Sequence, residues 1–111
     1  MKRLVCVLGS PKPKGNSASI AARLCAAAAA KGYETRTFAL NDLDYRGCQA
    51  CLACKGLSEI CVIADDLGEA LYAAGEADVL VLASPVYYGD VSSQLKGFID
   101  RTYSYLVPDW Y

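Results

Sequence analysis

The sequence predicts an α/β fold built on a parallel sheet, and three observations carry that prediction. Two continuous apolar runs, Leu4–Leu8 and Val79–Ala83, have the composition of strands buried on both faces. Stretches with helical spacing follow each of them, and glycines, Gly32 and Gly75, end the two helices that precede the last. The resulting order, β-α-β-loop-α-β-α, alternates strands and helices as a parallel sheet requires. The 111 residues suffice for one domain, 1–111.

Leu4-Val5-Cys6-Val7-Leu8 is the first strand, and Gly9 to Gly15 is a turn rich in Gly, Pro, Ser and Lys. Asn16 or Ser17 is the expected cap of an alanine-rich helix that runs through Ala30, with Gly32 just past its end. Tyr33 to Leu40, holding Thr35, Thr37 and Phe38, reads as a second, weaker strand. A cysteine-rich loop at 48–61 interrupts the alternation. Asp66-Leu67-Gly68-Glu69 has the spacing of a capping box, and Leu67, Ala70, Leu71 and Ala74 share one helical face that Gly75 ends. After Val79–Ala83 comes a loop from Ser84 to Gly89. Asp90 is the expected cap of a last helix marked by Val91, Leu95, Phe98, Ile99 and Leu106.

Doubly wound sheets of this type use five strands in the order 2-1-3-4-5, and this chain supplies three. The sequence therefore reads as truncated at the C-terminus, with the third strand left as an uncovered edge. Seven of the eleven aromatics, among them Tyr103, Tyr105 and Trp110, lie in the last quarter. A domain this small buries only about 60–68% of its unfolded surface. Edge and aromatics together predict a homo-oligomer.

Composition narrows the function. Hydrophobic residues make up 54% and charged residues 21%, which excludes a disordered tail or a collagen-like chain. No apolar run approaches the roughly 20 residues of a membrane helix. Met1-Lys2-Arg3 and Leu4–Leu8 imitate a signal peptide, but the apolar stretch is short and Pro11 and Lys12 follow, so the expected location is cytoplasmic. Residues 1–33 carry six bases and no acid, while the net charge is −1. That pattern fits a bound anion near the N-terminus and argues against a nucleic-acid partner.

Three segments carry chemistry. Gly9-Ser10-Pro11-Lys12-Pro13-Lys14-Gly15-Asn16-Ser17-Ala18-Ser19 combines a helix N-terminus, small residues, hydroxyls and two lysines, which suits a phosphate group. It is neither a Walker loop nor the Rossmann glycine pattern, and an ordinary loop with a capped helix explains Asn16 and Ser17 equally well. Ser84-Pro85-Val86-Tyr87-Tyr88-Gly89 lies at the carboxyl end of the third strand, beside the switch point where such sheets bind ligands. Its aromatic pair and glycine offer stacking surface and amides to a planar ring. Cys48-x2-Cys51-x2-Cys54-x6-Cys61 can hold an iron–sulfur cluster, a structural Zn²⁺, or free redox-active thiols. Cys6 and Cys25 read as inert core residues.

Together these segments resemble the flavodoxin-like NADPH-dependent FMN reductase family, and within it the iron–sulfur flavoproteins. The resemblance runs along the whole chain and includes Val91-Ser92-Ser93-Gln94-Leu95-Lys96 and Phe98-Ile99-Asp100-Arg101. It implies a flavodoxin-like doubly wound sheet and a flavin-dependent oxidoreductase. FMN would be held at its phosphate by Ser10, Lys12, Asn16, Ser17 and Ser19, and at its ring by Pro85, Val86, Tyr87, Tyr88 and Gly89. Cys48, Cys51, Cys54 and Cys61 would hold a 4Fe–4S cluster exchanging electrons with FMN and a small-molecule or protein donor or acceptor. Two alternatives stand beside this: an NAD(P)H-dependent FMN or quinone reductase without metal, and a non-catalytic truncated binding subunit.

Overall fold

A computed structural model of the chain describes residues 1–55 and 61–105. The expected order is present: β1 (Arg3–Leu8), α1 (Asn16–Ala30), β2 (Glu34–Ala39), α2 (Leu67–Gly75), β3 (Val79–Ala83) and α3 (Ser93–Arg101). The strands form one parallel sheet in the order β2-β1-β3. The fold is the flavodoxin-like α/β arrangement, with three strands among the described residues.

β1 is central because both of its faces are apolar. Val5 and Val7 pack with Phe38, Leu40, Leu67, Leu71, Leu95 and Phe98 beneath α2 and α3. Leu4 and Cys6 pack with Ala21 beneath α1. Small side chains let α1 lie close to the sheet, while Ile20 and Leu24 face solvent. The helix ends in a Schellman motif: Gly32 at φ +91° donates to the Ala29 carbonyl at 3.0 Å, and Tyr33 N–H donates to the Ala28 carbonyl at 3.1 Å. β3 is a sheet edge, and Leu80 and Leu82 are each 44% exposed despite their apolar sequence.

The caps differ from expectation at all three helices. Gly15, not Asn16 or Ser17, stands at the N-cap of α1, and no side chain caps that helix. At α2 the capping box does not form, because Asp66 turns away to accept from the Asp44 N–H at 2.8 Å. Its neighbour Asp65 accepts from the Leu67 N–H at 3.1 Å instead. α3 is capped by Ser92, whose Oγ accepts from the Leu95 N–H at 3.2 Å. Asp90 is engaged in a tight turn upstream of it. Leu106 and Trp110 lie outside the described residues.

Gly9 follows β1 where α3 crosses closest to the sheet. A Cβ there would stand 2.8 Å from both Leu95 Cβ and Ser92 Oγ. Gly9→Ala is therefore expected to cost about 1–3 kcal/mol through overpacking, read as a lower urea midpoint with unchanged slope.

Candidate functional site

The loops after β1 and β3 emerge side by side at the carboxyl edge of the sheet. Gly9 N–H donates to the Ala83 carbonyl at 2.7 Å and continues the ladder one residue past the strands. Ser92, fully buried, joins both loops to α3. Its Oγ donates to the Gly9 carbonyl at 2.7 Å, and its N–H donates to Ser84 Oγ at 2.9 Å. The Ser84 hydroxyl in turn donates to the Pro85 carbonyl at 2.8 Å. The sequence reading assigned Ser92 no role; a serine three residues before the first buried helical leucine was the available signal.

In the first loop the Lys12 N–H donates to Ser10 Oγ at 3.1 Å, and Gly15 N–H donates to the Lys12 carbonyl at 3.1 Å. These two bonds fold the segment into consecutive turns that deliver the chain to α1. Ser10 is buried, Ser17 is half-buried, and Lys12, Lys14, Asn16 and Ser19 are exposed. Because no side chain caps α1, its first-turn amides and the positive end of its dipole stay open to an anion beside two lysines. The explanation of Asn16 and Ser17 as simple caps does not hold.

In the second loop Tyr87 and Asp90 exchange backbone hydrogen bonds at 2.9 and 3.0 Å. Tyr88 at φ +52° and Gly89 at φ +74° occupy the two left-handed positions of a tight hairpin turn. Glycine adopts this backbone freely, whereas Tyr88 is held there at a cost of about 1–2 kcal/mol. Val86, Tyr87 and Tyr88 are exposed, while Pro85 is half-buried at the base. The hairpin thus presents aromatic surface at the sheet edge.

The four clustered cysteines line one small cavity together with Ile63, Arg101, Tyr103 and Ser104. Ala50 at φ +55° and Leu52 at φ +60° bend the chain between them, and the Ala50 N–H donates to Cys48 Sγ at 3.4 Å. All four are free thiols. Among the described residues no three His, Cys, Asp or Glu side chains are gathered so as to hold a metal ion. The sulfurs therefore share a cavity without converging on a single point.

Arg101, at the last turn of α3, closes this cavity from below and is fully buried. Its guanidinium grips Asp65 through two bonds, Nη1 to Oδ2 at 2.8 Å and Nη2 to Oδ1 at 3.1 Å. Further bonds run to the Arg46 carbonyl at 2.9 Å, the Ile63 carbonyl at 3.3 Å and Cys61 Sγ at 3.3 Å from Nε. One side chain thus holds both flanks of the cysteine segment. Nothing in the sequence reading singled out Arg101 for this, since its partners lie 36 to 55 residues away.

The family model for the NADPH-dependent FMN reductases matches residues 2–108. The chain belongs to that family. Among curated relatives, it is similar to an iron–sulfur flavoprotein of Methanocaldococcus jannaschii, 39% identical over 90% of this chain and 51% of that protein. It is likewise similar to iron–sulfur flavoproteins of Methanosarcina thermophila (33% identical, 90% of this chain and 52% of that one) and Archaeoglobus fulgidus (34%, 93% and 46%). The chain spans about half the length of the curated relatives it matches. No helix among the described residues is long and apolar enough to cross a membrane.

The Asp65–Arg101 pair gives this FMN reductase family member a pH signature. Burial pushes the Asp65 carboxyl up, but hydrogen bonds from Arg101 and from the Arg46 and Leu67 N–H groups outweigh it and hold the group below its usual range. A carboxylate depressed in the folded state stabilises above its unfolded value of about 3.9, and that contribution fades as pH falls through the lower folded value. Far-UV circular dichroism during urea unfolding should show stability dropping below about pH 4. Asp65→Asn should lose about 3–5 kcal/mol at neutral pH, by leaving a buried guanidinium unpaired, and should show a shallower acid limb.

Proposed function

We propose that the chain is the FMN-binding part of a flavin-dependent electron-transfer oxidoreductase whose clustered cysteines hold a 4Fe–4S cluster. The N-terminus of α1, which no side chain caps, preceded by Lys12 and Lys14 and reached by a loop that leaves the sheet beside the one bearing the Tyr87–Asp90 hairpin, carries the flavin reading. The first-turn amides, Ser17, Ser19 and Asn16 would receive the FMN phosphate, and the lysines would neutralise it. The Pro85–Gly89 backbone, with Tyr87 and Tyr88, would orient the ring. Bound FMN supplies both hydride and single-electron chemistry. Ser92 keeps the two loops in register, so that phosphate and ring contacts form together.

The thiolates of Cys48, Cys51, Cys54 and Cys61 would hold the cluster, which supplies single-electron transfer. Their shared cavity, the hydrogen bond that the Ala50 N–H donates to Cys48 Sγ and the one that Arg101 Nε donates to Cys61 Sγ fit a group that takes four anionic sulfurs. The separation of the sulfurs favours a second reading, an NAD(P)H-dependent FMN or quinone reductase without metal.

Titration of FMN into the chain, followed by quenching of flavin fluorescence, tests the first part. Ser17→Asp puts a negative charge where the phosphate would sit, in a helix position that tolerates acids. It should weaken FMN binding about tenfold or more, by about 1.4 kcal/mol or more, and leave riboflavin binding unchanged. Equal losses for both flavins, or no loss, would refute the phosphate site. Iron and labile sulfide assayed on anaerobically prepared protein separate the cluster from the metal-free reading.

A further inference from the structure

Cys6 and Cys25 lie apart from both sites. Cys6 is fully buried in β1 on the face that α1 covers, and Cys25 is half-buried on α1 above it. Thr37 is the register partner of Cys6 on β2, and Cys25 Sγ lies 3.9 Å from Thr37 Oγ1. Cys25 therefore sits over the seam between β1 and β2 and packs against the small core cluster that contains Cys6. Leu4, Ala21, Ala28 and Val81 belong to the same apolar cluster and enclose the two side chains between α1 and the sheet.

We propose that Cys6 and Cys25 form a dithiol site that closes reversibly to a disulfide, covalently joining β1 to α1 around the Gly9–Gly15 loop. The oxidant is a small-molecule disulfide. Cys25, the more accessible sulfur, attacks one sulfur of that disulfide as its thiolate; a Cys25–S–S–R bond forms and one RS⁻ leaves. Cys6 then loses its proton and attacks Cys25 Sγ; the bond to R breaks, and the second RS⁻ leaves. The protein has lost two hydrogens and the oxidant has become two thiols. Burial, with Cys25 adding to it, pushes the Cys6 thiol up to about 11 while the Thr37 hydroxyl opposes the rise. Cys6 accordingly stays protonated near neutrality, and the second step is the slow one.

The test uses the full chain incubated with oxidised glutathione, then alkylated and digested with trypsin without reductant. The expected product is a cross-link between Leu4–Lys14 and Leu24–Lys31, lighter by two hydrogens than the sum of the two peptides and abolished by dithiothreitol. Oxidation should raise the thermal midpoint by about 10 °C, because a loop of about 20 residues is closed in the unfolded chain. Cys6→Ala should instead carry a single glutathione on Cys25 and show no such rise. Cys25 found glutathionylated with Cys6 alkylated in the unsubstituted chain, unmodified, or joined to a cysteine of the 48–61 segment would overturn the proposal.

Discussion

A buried guanidinium is tolerable only when its charge and its donors are met, and at Arg101 both conditions are satisfied by parts of the chain that have no other reason to come together. Asp65 supplies the charge. The Arg46 and Ile63 carbonyls and the Cys61 sulfur take other donors. Those partners flank the cysteine segment, whose described residues form no element longer than a single 3-10 turn at Ala53–Lys55. The described flanks of that segment are therefore drawn together at one side chain on α3. Such a pair adds little net stability over an apolar replacement; its effect is to fix one arrangement of the loop.

The same helix organises the other site from its opposite end. Ser92 caps α3 and bonds to the loops after β1 and β3, while Arg101 in the last turn holds the cysteine segment. Nine helical residues span about 14 Å at 1.5 Å each. α3 is thus a rigid spacer between the two candidate cofactor sites. Its packing through Leu95 and Phe98 against Val5 and Val7 ties that spacing to the central strand.

The fold was legible because its central strand obeys a simple rule: a strand covered on both faces is apolar at every position, and Leu4–Leu8 is. The loops at the carboxyl edge were legible for the same reason, since topology places ligands there. The caps were not. Asp65 and Asp66 compete for one helix start, and Asp90 precedes Ser92 by two residues. Which of them caps depends on Asp44, Arg101 and Tyr87, contacts that local spacing does not encode. The convergence of the cysteines on one cavity could be anticipated from their spacing, but Arg101 beneath them could not. An arginine in an amphipathic helix ordinarily reads as solvated until its distant acid is known.

The central claim is that Arg101 is the main anchor of the described part of the cysteine segment, while the sheet and the loops after β1 and β3 stand independently of it. Hydrogen exchange compared between the chain and Arg101→Leu, in a buffer where both remain folded, tests it most directly. Amides of residues 44–55 should exchange about tenfold faster or more in the variant, a loss of about 1.4 kcal/mol or more of local protection, with β1 and α1 unchanged. Uniform loss of protection across the sheet, or unchanged exchange in 44–55, would contradict it.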